Sequence, residues 1–312
     1  MHVAKEANTS SRIEGTQTDF DEAIRPVEFV LPERQDDWQE VQNYIQAMNR
    51  AISDLERLPL SNRLLNETHA VLLQGVRGEQ KFPGEFRRSQ NWIGGSGPSD
   101  AAFVPPHHDE LINLMGDLEK FWHNELIQVP HLIRIALSHY QFETIHPYCD
   151  GNGRIGRLLI TLYLVSKGLL RKPTLYLSAF LEKHKGAYFD ALTRVRASND
   201  LGHWVRFFLT ALLETARNGR ATFEGILKIR QEVEHSTLSL GKRAENARQL
   251  LSRLYSHPIV TPNEVAELLQ VTHQTASTLI HDFETLGILE KSIKVERSQA
   301  YVFRRYFDLF LG

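Results

Sequence analysis

Between positions 146 and 157 the chain reads His146-Pro147-Tyr148-Cys149-Asp150-Gly151-Asn152-Gly153-Arg154-Ile155-Gly156-Arg157. Gly151, Asn152 and Gly153 stand where a loop must turn into the apolar helix Leu158 to Val165. Glycines there let backbone N–H groups approach a ligand closely, and a helix start favours an anion, most simply phosphate. Arg154 and Arg157 fall on one face of the first turns, where cations oppose the helix dipole unless a multiply charged anion lies between them. Asp150 would be repelled by phosphate unless it binds a hard cation, so Mg²⁺ is implied. His146, just ahead, is suited to take a proton near neutral pH. A base, a cation ligand, an anion cradle and two arginines describe phosphoryl or nucleotidyl transfer. The plainer alternative is a glycine-rich turn with a capping aspartate and surface arginines; the convergence of features argues against it.

These elements need a scaffold, and the sequence supplies a mainly α one. Helices are expected at Trp38 to Leu58, Asn62 to Leu73, a stripe of Leu111, Met115, Leu118 and Trp122, His131 to Thr144, and Asn152 to Lys167 closed by Gly168. Tyr188 to Val195, Trp204 to Leu213 and Asn218 to Glu234 read as further helices, with Ser236 to Gly241 as a linker. Glycine and proline cluster from Pro83 to Pro106, which predicts an irregular hairpin or long functional loop. Beyond the linker, helices Ala247 to Tyr255, one capped by Thr261-Pro262-Asn263-Glu264, and His273 to Leu286 precede a hairpin. That is the order of a winged helix-turn-helix module.

At 146–157 the sequence closely resembles the Fic family signature HPFx(D/E)GNGRxxR, with Tyr148 in place of the phenylalanine; the extra hydroxyl needs a partner if buried. The likeness extends to Ser61 to Gly78, Phe86 to Gly95 and Phe103-Val104-Pro105-Pro106, about two-thirds of the chain in all. It implies a Fic-type helical core with a β-hairpin flap, plus a C-terminal winged helix-turn-helix domain. The expected boundaries are 1–20 for an inhibitory helix, 21–106 for an N-terminal helical region with the flap at about 84–97, 107–235 for the catalytic core and 242–312 for the winged helix.

What the resemblance implies chemically is transfer of AMP from ATP to a Ser, Thr or Tyr hydroxyl of a protein target or of the chain itself, with release of pyrophosphate. His146 would deprotonate the hydroxyl and Asp150 would hold Mg²⁺ on the α- and β-phosphates. Gly151, Asn152 and Gly153 would form the anion hole, with Ile155 and Gly156 in the same ATP-binding segment, and Arg154 and Arg157 on the outer phosphates. The flap would receive the target by strand addition, with Ile93 as clamp and Gly94-Gly95 permitting close approach. Tyr188 matches a position whose ring packs on adenine. Ser10-Ser11-Arg12-Ile13-Glu14-Gly15 is similar to the family's inhibitory motif (S/T)xxxE(G/N), so Ser10, Glu14 and Gly15 would form it, with Glu14 pairing with Arg157. A carboxylate there competes with the γ-phosphate. Transfer of UMP, phosphate or phosphocholine, and a DNA-binding regulator with the core as nucleotide sensor, are the alternatives; retention of His146 favours chemistry.

Composition narrows the remainder. The chain has 312 residues, 42 % hydrophobic, with a net charge of −2, so a strongly basic nucleic-acid binder is not the default. The helix His273 to Leu286 carries no Lys or Arg and contains Asp282 and Glu284; Thr272, His273, Gln274, Thr275 and Thr278 are left to read bases, and Lys291, Lys294 and Arg297 to touch a backbone. DNA and protein therefore stand as alternative partners for this module, and a homodimer is the family expectation. The single cysteine, Cys149, excludes an intrachain disulfide and reads as a packed residue. No apolar run approaches a membrane span, the N-terminus lacks a signal-peptide core, and a cytoplasmic setting is expected. His107-His108 read as helix-capping or solvated, and no transition-metal spacing is present.

Overall fold

Strong apolar periodicity becomes helix throughout the computed structural model, which describes residues 1–295 and 298–311. Residues 3–23 and 32–216 form one compact unit; residues 1–2 and 24–31 join those from 217 onward in a second.

The first unit contains α1 (His2–Ile13, from its second residue), α2 (Phe20–Ala23), α3 (Gln35–Asp54), α4 (Asn62–Leu72), α5 (Leu111–His123), α6 (His131–Ile145), α7 (Asn152–Ser166), α8 (Ser178–Lys183), α9 (Lys185–Ser198) and the first part of α10 (Leu201–Thr237). Ser61 caps α4 by accepting from Leu64 N. Most of α7 is buried, as expected of a helix apolar on nearly every face. Around it pack Tyr44 and Met48 of α3, Leu64 of α4, Trp122 of α5, Phe142 of α6 and Trp204 of α10, all fully buried. His107 caps the turn before α5, accepting from Asp109 N at 3.5 Å.

Three expectations need correction here. The predicted helices Trp204 to Leu213 and Asn218 to Glu234 are one 37-residue helix, because Glu214-Thr215-Ala216-Arg217 contains no residue that breaks a helix. Helix also runs into the expected linker, to Thr237; the break comes at Gly241, whose φ of 55° ends the following 3₁₀ turn's regularity. The hairpin expected at about 84–97 is displaced as well. Its single antiparallel bridge joins Ile93 to Phe103, so the turn spans 94–102, where Gly94 and Gly95 take φ of 70° and 71°.

The second unit carries the remainder of α10, then α11 (Ala244–Ser256), α12 (Pro262–Leu269), α13 (His273–Thr285) and α14 (Arg304–Phe307). Thr261 and Glu264 form a reciprocal capping box at α12. Strands β2 (Glu290–Val295) and β3 (Ser298–Val302) form the expected antiparallel pair, and β1 (Ile259–Val260) adds a third strand in the order β1-β3-β2. Two residues are too short to show alternation, so β1 left no trace in the sequence. Thr272, His273, Gln274, Thr275 and Thr278 are exposed. Arg297 lies outside the described residues, as does the side chain of Lys294.

Candidate active site

Helix α6 ends at Ile145, and His146 caps it in the left-handed conformation, φ 49°, with its N–H donating to Phe142 O at 2.9 Å. Burial is the main cause that lowers the imidazole to about 4, helped by the charges of Arg196 and Arg87 and opposed by Glu14 and the Glu143 carbonyl. At neutral pH the ring is therefore uncharged and able to accept a proton.

The loop after His146 is stapled from within and without. Asn152 Oδ1 accepts from Tyr148 N and its Nδ2 donates to Tyr148 O, both at 2.8 Å, so this side chain shapes the loop and leaves its backbone N–H for a ligand. The Tyr148 hydroxyl finds the partner it needed in Asn66 Oδ1, at 2.7 Å. His69, a residue without a sequence signal, stacks on Tyr148 at 3.9 Å and bridges Gly84 N (2.8 Å) to Asp150 O (2.9 Å). Its Nδ1 accepts, so its Nε2 donates; burial keeps it neutral, at about 4. Gly151 then adopts φ 73°, and α7 begins. Cys149 is half-buried, with burial raising its thiol.

At the start of α7 stands a carboxylate of the chain itself. A side chain on Gly153 would displace the ends of Glu14 and Arg157, Arg157 Nη1 lying 2.9 Å from the position of its Cβ, so glycine lets the pair sit against the helix start. Arg157, 2 % exposed, donates Nη2 to Glu14 Oε1 (2.6 Å) and to Ser10 O (2.9 Å), and Nε to Ser10 Oγ (2.9 Å). Burial would raise the Glu14 carboxyl, but Arg157, with Arg154 and His146 behind it, holds it below the usual range. Gly15 takes φ 106° and lets the chain leave α1 immediately after Glu14.

The other arginine has a different companion. Arg154 meets Asp150 Oδ1 at 3.3 Å and Glu40 Oε2, on α3, at 3.4 Å. Glu40 also holds Arg77 Nε at 2.8 Å and accepts from Thr16 Oγ1 at 3.3 Å. It was invisible in the sequence, lying 114 positions from its partner without a motif. Glu143 is a second unforeseen acid. It is buried beside Gly156, whose Cβ would collide with it, and burial pushes it up to about 7.

Three expected ligand contacts lie elsewhere. Ile155 is fully buried in the core, and Gly156 faces α6, its carbonyl meeting His139 Nδ1 at 2.9 Å. Tyr188 is 1 % exposed, its hydroxyl 2.9 Å from His139 Nε2 and its ring among Trp204 and Phe207, so no face is open to a base. In the flap, Ile93 is half-buried and Gly94 and Gly95 are exposed. Asp150 is 42 % exposed beside the anion cradle, a hard oxygen donor whose surroundings fit Mg²⁺.

Comparison with known proteins agrees with this geometry. Residues 59–164 match the model of the Fic/DOC family and residues 1–53 that of the Fic/DOC family N-terminal region, together just over half of the chain. The chain belongs to the Fic/DOC family. Protein adenylyltransferase Fic of Aedes aegypti is 35 % identical over 126 residues, 40 % of this chain and 22 % of that protein. The chain thus spans about a fifth of the length of that curated relative. Among solved structures, a Fic family protein from Desulfovibrio desulfuricans superposes with a TM-score of 0.60 at 21 % identity, covering 96 % of this chain and 86 % of the other. A Fic domain-containing signalling protein from Bacteroides thetaiotaomicron gives 0.58 at 19 % identity, over 69 % and 85 %. The Fic fold is common to all three. No helix among the described residues is long and apolar enough to cross a membrane.

Proposed function

We propose that this Fic protein transfers AMP from ATP to a protein hydroxyl and that α1 restrains it. The observation that carries the reading is the Glu14 carboxylate seated over Gly153 on Arg157, at a helix start, where an outer phosphate would otherwise sit. With Glu14 withdrawn, Arg157 and Arg154 bind the outer phosphates, and the N–H groups of residues 151–153 cradle the anion. Neutral His146 takes the proton of the target hydroxyl as its oxygen bonds to the α-phosphorus. The bond from that phosphorus to the β-phosphate oxygen breaks, and pyrophosphate leaves with the electron pair. Asp150 would hold Mg²⁺, which when bound offsets charge on the phosphates. The flap edge at Ile93 receives the target backbone, Gly94 and Gly95 allowing close approach.

The test is mass spectrometry of a Glu14→Gly protein incubated with Mg·ATP and a cell lysate, which reports group, residue and target together. AMP adducts are expected, and His146→Ala in the same background should abolish them. Absence of adducts from Glu14→Gly, or their persistence without His146, overturns the reading. Competition by other nucleotides distinguishes transfer of UMP, phosphate or phosphocholine.

For residues 242–312 the order α11, α12, α13 and hairpin supports a winged helix-turn-helix, with an exposed but uncharged reading edge from Thr272 to Thr278. A gel shift with genomic fragments tests whether it binds DNA; no shift at low salt leaves a protein partner.

A further inference from the structure

Arg87 stands ahead of the flap, 2 % exposed, and no carboxylate pairs with it among the described residues. A buried guanidinium is costly without partners, and this one spends its donors on backbone carbonyls. Nε donates to His146 O at 3.0 Å, Nη1 to Ser89 O at 3.0 Å, and Nη2 to Pro106 O at 2.5 Å and Ile145 O at 3.4 Å. Its own N–H donates to Pro147 O at 2.8 Å. Ser89 and Pro106 are the two roots of the flap. Ile145, His146 and Pro147 are the last turn of α6 and the start of the catalytic loop. The carbonyls that end a helix lack intrahelical donors and favour a cation, so one side chain caps α6 and clasps both flap roots. Nearby contacts run the same way. Asn91 Nδ2 of the flap donates to Tyr148 O at 3.2 Å, and Arg196 lies 4.0 Å over the ring of Phe103 while donating to Glu143 O at 3.2 Å.

We propose that Arg87 is a positioning residue that couples the flap to His146, so that the strand receiving the target and the base that deprotonates it move as one body. The clasp holds His146 in its left-handed conformation, which a non-glycine residue adopts only when its surroundings over-determine it. The positive charge also helps keep the imidazole neutral, together with Arg196 and against Glu14 on α1 and the Glu143 carbonyl. Its side-chain hydrogen bonds go to carbonyls of His146, Ser89, Pro106 and Ile145 and not to Arg154 or Arg157, so phosphate binding should change little.

The proposal rests on the transfer reading above, so its test has two arms. In the Glu14→Gly protein, self-labelling by labelled ATP is followed against ATP concentration and pH. Arg87→Ala should lower the maximal rate by about 100-fold, the scale of a base displaced by about 1 Å, with KM for ATP within about twofold. Its acid limb should move to higher pH, and added guanidinium should restore rate and limb together. Arg87→Lys keeps the charge but not the fork, so its limb should stay in place while the rate falls by about tenfold. The second arm needs no transfer: NMR titration of His146 in the otherwise unaltered chain should show its pKa rising in Arg87→Ala and unchanged in Arg87→Lys. A folded Arg87→Ala protein with parental rate and limb, or an unmoved His146 titration, overturns the proposal. Should Arg87→Ala not fold, a parental rate in Arg87→Lys does so. Failure of the Glu14→Gly parent to label counts against AMP transfer, and the titration still decides Arg87.

Discussion

Arg154 and Arg157 sit one helical turn apart, yet their acidic companions are attached to the molecule in opposite ways. Arg157 is held from α1 and the residue that follows it: Ser10 Oγ, Ser10 O and Glu14 Oε1, the last at 2.6 Å. Arg154 is held more loosely, at 3.3 and 3.4 Å, by Asp150 of its own loop and by Glu40 in the second turn of the 20-residue α3. Glu40 keeps Arg77 as a second cation whatever Arg154 does. One carboxylate is therefore carried at the end of the N-terminal helix, whereas the other is anchored on α3 beside a second arginine. Under the function proposed above, the first would be a detachable restraint on its arginine and the second a fixed neighbour.

Exchanging each acid in turn tests that contrast. The largest effect should come from Glu40→Gln, which leaves two arginines short of a buried carboxylate. A loss of about 2 kcal/mol is expected, discounted because Arg77 is largely exposed, and thermal unfolding should show a Tm lower by about 5 °C. ATP affinity should change by less than about twofold. Next comes Glu14→Gly, where a charge-assisted hydrogen bond with a 41 % exposed carboxylate is removed. Titration calorimetry should find ATP bound about tenfold tighter, with Tm nearly unchanged. If Glu40→Gln tightens ATP as much as Glu14→Gly does, the distinction between the two acids fails.

The smallest effect concerns how α1 is seated. Glu6 is buried, its oxygens accepting from Ser178 Oγ (2.6 Å), Ser178 N (3.1 Å) and the Tyr44 hydroxyl (3.3 Å). Burial raises its carboxyl above the ordinary range, with Arg157 the opposing charge. It binds its proton more tightly folded than unfolded, so its contribution to the seat is full below the ordinary carboxylate value and is lost as pH rises through the raised one. Glu14 has the reverse sign: its contact is full above the ordinary value and is lost only as pH falls through the depressed one. Self-labelling of the unaltered protein should therefore rise by about two- to threefold as pH rises through the raised Glu6 value, and Glu6→Gln should flatten that rise.

The segment His146 to Arg157 and its pairing with Ser10 to Gly15 were legible because each motif is compressed into a short stretch. Most helices were legible from periodicity. Glu40, His69 and Arg87 were not, since each works on residues tens of positions away and no local pattern marks a side chain that bonds to a distant carbonyl or arginine. Tyr188 shows the opposite failure. An aromatic matched by position was placed on a ligand, while its hydroxyl binds His139 and its ring fills the core. The flap was located by its glycines but not centred by them, because a single bridge fixes its register.

The face that α1 presents to the core is mostly polar: Glu6, Asn8, Thr9, Ser10 and Ser11 are buried there beside Ala7 and Ile13, with Val3 packed partly buried against the core. Undocking such a helix uncovers groups that water solvates well, so the open form would present little adhesive surface to other chains. If α1 is the restraint proposed above, lifting and restoring it would not steer the protein towards aggregation.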